Sequence, residues 1–143
     1  MIYVDSNIFI VAVLDKTARG NISRKCLGLV DHGKTDAITS SLTMDELMWT
    51  LIKHGKKHLV TEVVHSIYES RLMVVPVSSQ APLKACEFLE RFELSPRDAI
   101  HAAVIKENNL NDILSEDRHF DNVSWLKRYS PKSFIEVFGG TSH

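Results

Sequence analysis

The sequence predicts an α/β fold, a three-layer α/β/α sandwich around a central, mostly parallel sheet. Three observations lead there. Short fully apolar runs alternate with segments of ten or more residues at helical spacing. The apolar runs lack the in-and-out alternation of a half-exposed sheet, so they suit strands covered on both faces. Acidic residues cluster just past the ends of those runs, where the crevices of open parallel sheets lie.

Ile2 to Val4 is the first such run, closed by the polar cluster Asp5-Ser6-Asn7. Ile8 to Leu14 is apolar and helical in character. Ile22, Cys26, Leu29 and Val30 recur at helical spacing within Asn21 to Val30, and Gly33 ends that helix. Asp36 to Thr39 offers a second strand. Met44, Leu47, Met48, Leu51 and Ile52 form the apolar stripe of a helix that stops near Gly55, and Leu59, Val63 and Ile67 mark another. Leu72 to Val75 is a strand stopped by Pro76, followed by helical spacing from Ala81 to Phe92. Ser95-Pro96 is a strong start signal, a capping serine before a proline at the first helical position, and Ala99 to Ile105 continues the helix. Asp112 to Ser115 reads as a strand, Phe134 to Val137 as a last strand, and Gly139 to His143 as a frayed tail.

The chain has 143 residues, 44% of them hydrophobic, enough for one domain with a real core. We therefore expect a single domain over residues 1–138 and a flexible tail over 139–143, with no repeats or linkers. Seventeen Lys and Arg against eighteen Asp and Glu leave a net charge of -1, which excludes binding a polyanion by bulk charge; any such binding must be local. Cys26 and Cys86 lie far apart without a close Cys or His, so they read as ordinary core thiols. The N-terminus lacks the pattern of a signal peptide, and no apolar run approaches the ~20 residues needed to span a bilayer. The expectation is a cytoplasmic protein with no membrane partner.

Each acid has a plain alternative explanation. Asp5 follows a strand and precedes a helix, where capping alone accounts for it. Asp98 sits in a first helical turn, where the helix dipole favours an acid, yet it shares a face with Ala102 and Ile105 and so extends an apolar stripe. Thr43-Met44-Asp45-Glu46 matches a capping box; equally, Glu46 lies between Leu42 and Trp49 at inward-facing spacing, with Asp45 a competitor. Asp117 and Asp121 flank Phe120 and fit a capped turn. Four acids at one sheet edge would repel one another unless cations balance them, and an all-oxygen set favours Mg²⁺ or Mn²⁺ over zinc.

These segments together resemble the PIN domains, especially the stand-alone VapC-type toxins of bacterial and archaeal toxin–antitoxin pairs. IYVDSN resembles the opening motif and carries Asp5 and Asn7. SLTMDELMWTL resembles the helix with the second acid, assigning Glu46. LSPRDAIHAAVIKENNL is similar to the third motif and assigns Asp98, and ILSEDRHFD resembles the fourth and assigns Asp117, with Asp121 as a possible fifth acid. Ser115 stands where family members often have threonine. The resemblance spans nearly the whole chain and implies Mg²⁺- or Mn²⁺-dependent endonucleolytic cleavage of RNA, a small antitoxin partner and a homodimer. It implies Asp5, Asp98 and Asp117 as principal metal ligands, Glu46 as a ligand or a base, and Asn7 and Ser115 in secondary roles.

Arg97 and Arg118 adjoin the proposed ligands and are candidates either for RNA phosphates or for pairing with carboxylates. The basic run Lys53 to His58 is better read as solvated, His101 and His119 as surface or packing residues, and Trp49 and Trp125 as core. Met44, Met48 and Ile67 are candidates for a dimer surface. Two other functions compete: a PIN-like scaffold that binds RNA or protein without catalysis, and a phosphoacceptor receiver module. The receiver would need a second acid beside Asp5 and a later strand-end lysine, and the sequence supplies neither.

Overall fold

The computed structural model describes residues 1–140. Five parallel strands, β1 (Ile2–Val4), β2 (Ala37–Ser40), β3 (Met73–Val75), β4 (Asp112–Leu114) and β5 (Lys127–Tyr129), form one sheet in the order β3-β2-β1-β4-β5. Seven α-helices connect and cover them: α1 (Ser6–Leu14), α2 (Ala18–Asp31), α3 (Ser41–Lys53), α4 (Val60–Glu69), α5 (Ala81–Arg91), α6 (Pro96–Glu107) and α7 (Pro131–Phe138). The chain moves outward on one side of β1 through β2 and β3, then returns to its other side with β4. The crevice expected at such a reversal therefore opens at the carboxyl ends of β1 and β4.

The two-residue period of the strands divides the core. Ile2, Val4 and Leu114 face a layer containing Ile8, Phe9, Cys26, Leu47, Leu51 and Phe134, while Tyr3, Ile38 and Ile113 face Val104, Ile105 and Phe120. Both faces are buried, which is why the strands read as continuous apolar runs. On the second face α5 and α6 meet through Ala81, Ala85, Ala99, Ala102 and Ala103, small side chains that let the helix backbones approach closely. That seam fixes the amino end of α6, where Asp98 lies.

Helix starts follow local chemistry. Ser95 Oγ accepts from Asp98 N–H at 3.2 Å, and Ser130 Oγ accepts from Ser133 N–H at 3.1 Å. The second of these overturns the strand expected over Phe134 to Val137. Ser130-Pro131 repeats the start signal of Ser95-Pro96, and a helix forms despite β-favouring side chains. The last strand is instead Lys127–Tyr129, whose two basic residues suit a sheet edge and hide it from a search for apolar runs. Gly33 and Gly55 adopt φ of +76° and +74° just past α2 and α3, the left-handed geometry that ends a helix at glycine.

Two further expectations are corrected. Met44 and Ile67 are only 4% and 8% exposed, because their helix stripes pack into the core, so neither offers a dimer surface. Trp49 is 56% exposed instead of buried, since the core-facing positions of α3 are Met44, Leu47 and Leu51. Trp125 is half-buried against Phe88, with ring centroids 5.4 Å apart. Among the described residues no helix is long and apolar enough to cross a membrane. Gly139 and Gly140 follow α7 without regular structure, and the rest of the expected tail, Thr141 to His143, lies outside the described residues.

Candidate metal centre

Asp5 ends β1 and caps α1, and it is 4% exposed. Its Oδ1 accepts from Ser6 N–H at 2.8 Å, and its Oδ2 accepts from Ser115 Oγ at 2.6 Å and Asn7 Nδ2 at 3.1 Å. Capping and site membership are therefore compatible, since a carboxylate has about four lone-pair positions. Ser115, the first residue after β4, also accepts from Asp117 N–H at 3.0 Å, so one hydroxyl ties the ends of the two central strands together. Burial raises the Asp5 pKa; His101, Ser115 and Ser6 oppose that rise, while the charge of Glu46 adds to it.

Glu46 is not part of a capping box. Helix α3 begins at Ser41 with Ser40 as its cap, which puts Thr43 and Glu46 inside the helix. The inward position belongs to Glu46, while Asp45 is exposed. Glu46 Oε1 lies 2.6 Å from His101 Nε2, and the same nitrogen is 3.8 Å from Asp5 Oδ1. His101 is 1% exposed, and its Nδ1 meets the Tyr3 hydroxyl at 2.6 Å, which in turn meets Ser40 Oγ at 2.8 Å. Burial alone would favour a neutral ring, but the Tyr3 hydroxyl, the hydrogen bond to Glu46 and the charges of Asp5 and Glu46 outweigh it, raising the pKa to about 10. Protonated, His101 donates from both ring nitrogens, to Glu46 on one side and Tyr3 on the other. His101 is thus a packed residue, as one of the two sequence expectations had it, and it belongs to the site itself. One signal was present: it lies three residues after Asp98, one helical turn along α6.

Asp98 and Asp117 form the outer half. Asp117 caps the 3-10 turn Arg118–Asn122, accepting from His119 N–H at 2.9 Å, and His119 Nδ1 lies 2.8 Å from the same oxygen. Burial and the negative charges of Asp117 and Asp5 push Asp98 up to about 6, against the weaker pull of His101 and the Ser95 hydroxyl. Ligand atoms of Asp5, Glu46 and His101 lie within 4.8 Å of one another, as do those of Asp98, Asp117 and His119. The donor chemistry fits a hard cation: two carboxylate pairs, Asp5 with Glu46 and Asp98 with Asp117, lie in neighbouring clusters, and burial together with the charges of Asp117 and Asp5 raises Asp98. His101 fits better as a fixed countercharge than as a ligand, because both its nitrogens are already engaged.

Asp121 lies apart from this convergence, its carboxylate held by Arg128 through Nε at 2.9 Å and Nη2 at 3.2 Å. Asn7 spans the crevice, accepting from Glu116 N–H at 3.2 Å and donating to Asp5 and Ser115. Arg97 and Arg118 are exposed and, among the described residues, neither makes an ion pair.

An all-parallel α/β/α sandwich with a carboxylate-lined crevice at its reversal point defines the class, an α/β domain that gathers acidic side chains at its strand ends. The family model for the PIN domain matches residues 2–126, and the chain belongs to that family. It is similar to ribonuclease VapC13 of Mycobacterium tuberculosis, 26% identical over 129 residues that cover 90% of this chain and 98% of the relative. Among solved structures it resembles the sarcin-ricin loop cleaving toxin VapC20 of Mycobacterium tuberculosis, with a TM-score of 0.74, 17% identity and 89% and 98% of the two chains covered. A toxin–antitoxin complex from Klebsiella pneumoniae matches with a TM-score of 0.66, 15% identity and coverage of 92% and 98%.

Proposed function

We propose that this chain is a divalent-metal-dependent endoribonuclease, the toxin of a toxin–antitoxin pair. The observation that carries the reading is the convergence of Asp5, Glu46, Asp98 and Asp117 from four separate elements on one crevice, in a chain that is itself close to neutral. Asp5, Asp98 and Asp117 would hold Mg²⁺ or Mn²⁺. A bound ion would supply charge neutralisation at the scissile phosphate and activation of a water. Ser115 and Asn7 hold the Asp5 carboxylate at a fixed angle, and His101 holds Glu46 against the cluster, so both groups are positioned before substrate arrives. Glu46 then serves as a ligand or orients the attacking water. Asp121, committed to Arg128, would support the loop rather than bind metal.

The partner reading follows from a separate surface. An apolar groove of about 460 Å³ runs between α1, α2 and α4, lined by Phe9, Val13, Leu27, Val63, Ile67 and Leu72. We assign it to the apolar face of an antitoxin helix, a reading supported by the likeness to a solved toxin–antitoxin complex. Residues 1–138 are read as one domain, acting in the cytoplasm where RNA is accessible, and the homodimer stays an expectation from the family.

The test is cleavage of a labelled structured RNA in Mg²⁺, Mn²⁺ or EDTA, alongside folded Asp5→Asn and Asp98→Asn variants. Cleavage that needs the metal and disappears in both variants is expected. Failure of the wild type to bind divalent metal would favour a non-catalytic scaffold.

A further inference from the structure

Beside the carboxylates lies a second, basic cleft of about 430 Å³, formed by the start of α2, the loop after β4 and the start of α7, with Arg19, Arg118, Arg128 and Lys132 in its lining. We propose that this cleft is a subsite for RNA backbone phosphates flanking the scissile one, with Arg118 and Lys132 as its phosphate contacts. The inference rests on the ribonuclease reading above.

Charge pairing singles out those two residues. Arg19 is bound bidentately by Glu116, through Nε at 3.0 Å and Nη2 at 2.5 Å, and it also reaches Asp15 at 3.6 Å. Arg128 is held by Asp121 and donates to the Ser115 carbonyl at 3.0 Å. Arg118 and Lys132 are exposed and, among the described residues, make no ion pair or hydrogen bond. Two uncompensated cations at one concavity, in a chain of net charge -1, are where a polyanion gains most.

Two residues of the cleft adjoin the acids. Glu116, in its wall, donates its N–H to Asn7, and Asn7 donates to Asp5. Arg118 directly follows Asp117. A strand of RNA lying with one phosphate at the acids would thus extend a neighbouring phosphate into the cleft. The basic run Lys53 to His58 is the competing surface, but it is exposed throughout and lines none of the clefts described here.

The test compares Arg118→Gln/Lys132→Gln with Lys56→Gln/Lys57→Gln. Steady-state cleavage of a labelled hairpin RNA in Mg²⁺ gives KM and kcat, and fluorescence anisotropy in Ca²⁺ follows binding over a range of salt. For the cleft variant we expect KM to rise about 10-fold at unchanged kcat, with the slope of log Kd against log salt flatter by about 1.4, or about 0.7 for each lost phosphate contact. The control variant is expected to change KM less than about 2-fold. If the wild type cleaves and the cleft variant matches it, or changes no more than the control, the cleft inference falls alone. If the wild type binds RNA without cleaving it, and the cleft variant loses that binding, the cleft stands and the ribonuclease reading falls. If the wild type neither binds nor cleaves, both fall.

Discussion

The two halves of the acidic cluster are built differently. In the inner half, Asp5 and Glu46 are wired into the fold by Ser6, Ser115, Asn7 and His101, and the wiring continues through Tyr3 to Ser40. In the outer half, Asp98 lies beside Asp117 and the Ser95 hydroxyl, and Asp117 is held by the exposed His119. The inner half carries its own countercharge in His101 and is preorganised without metal. The outer half has no buried countercharge of its own, and on the proposed function a divalent cation would supply one. On that reading geometry is stored on one side of the crevice, and the proposed metal dependence would lie on the other.

The largest effect expected is on catalysis. Asp98→Asn removes an outer acid without disturbing the Ser95 cap, and cleavage in Mg²⁺ should fall on the order of 10²-fold or more while the thermal midpoint without metal holds or rises. A variant that cleaves normally would move the metal away from the outer half.

Next comes stability. His101→Ala strips the countercharge from two acids and leaves Tyr3 half-satisfied, so urea unfolding should show a loss of about 3 kcal/mol or more. His119→Ala, at 71% side-chain exposure, should stay within about 0.5 kcal/mol. Equal losses would erase the distinction between the halves.

A third, intermediate effect concerns pH. The Asp98 pKa is raised from 3.8 to about 6, so its contribution to stability is fully present below the unfolded value and is lost as pH rises through about 6. The His101 contribution is present below 6.5 and is lost only as pH rises through about 10. In EDTA the thermal midpoint should therefore fall from about pH 4 to about pH 7, and Mg²⁺ should restore it at the higher pH but not at the lower, where the proton occupies Asp98. A midpoint independent of both pH and Mg²⁺ over that range would contradict the outer-half reading. The smallest effect is expected from Asp121→Asn. Its partner Arg128 keeps the bond to the Ser115 carbonyl, so stability should change by about 0 to 1 kcal/mol and activity by less than a few-fold. A loss of metal binding would restore Asp121 to the cluster.

The same contrast explains what the sequence disclosed. Asp5 stands directly after an apolar strand, Asp117 stands shortly past another, and Asp98 follows a Ser-Pro helix start, so local pattern alone places them near strand ends and a helix start. Glu46 was ambiguous because Thr43 mimics a capping residue, and only the helix start at Ser41 separates the two. His101 was illegible in its role: its partners Glu46 and Tyr3 lie 55 and 98 positions away, and their pairing exists only once α3, α6 and β1 are packed. Strand β5 escaped notice because three residues with two charges carry no apolar signature, and α7 was misread because Phe134-Ile135-Glu136-Val137 favours strands until its proline and capping serine are weighed.

One consequence of the central position of β1 concerns time. The hydroxyl that fixes Asp5 belongs to Ser115, 110 positions later, and the histidine that fixes Glu46 is 55 positions later. Synthesis runs from the amino end, so a ribosome must release most of the chain before the first acid meets its last partner. The proposed site therefore stays incomplete until Ser115 has been made, so any activity it has would begin late in synthesis.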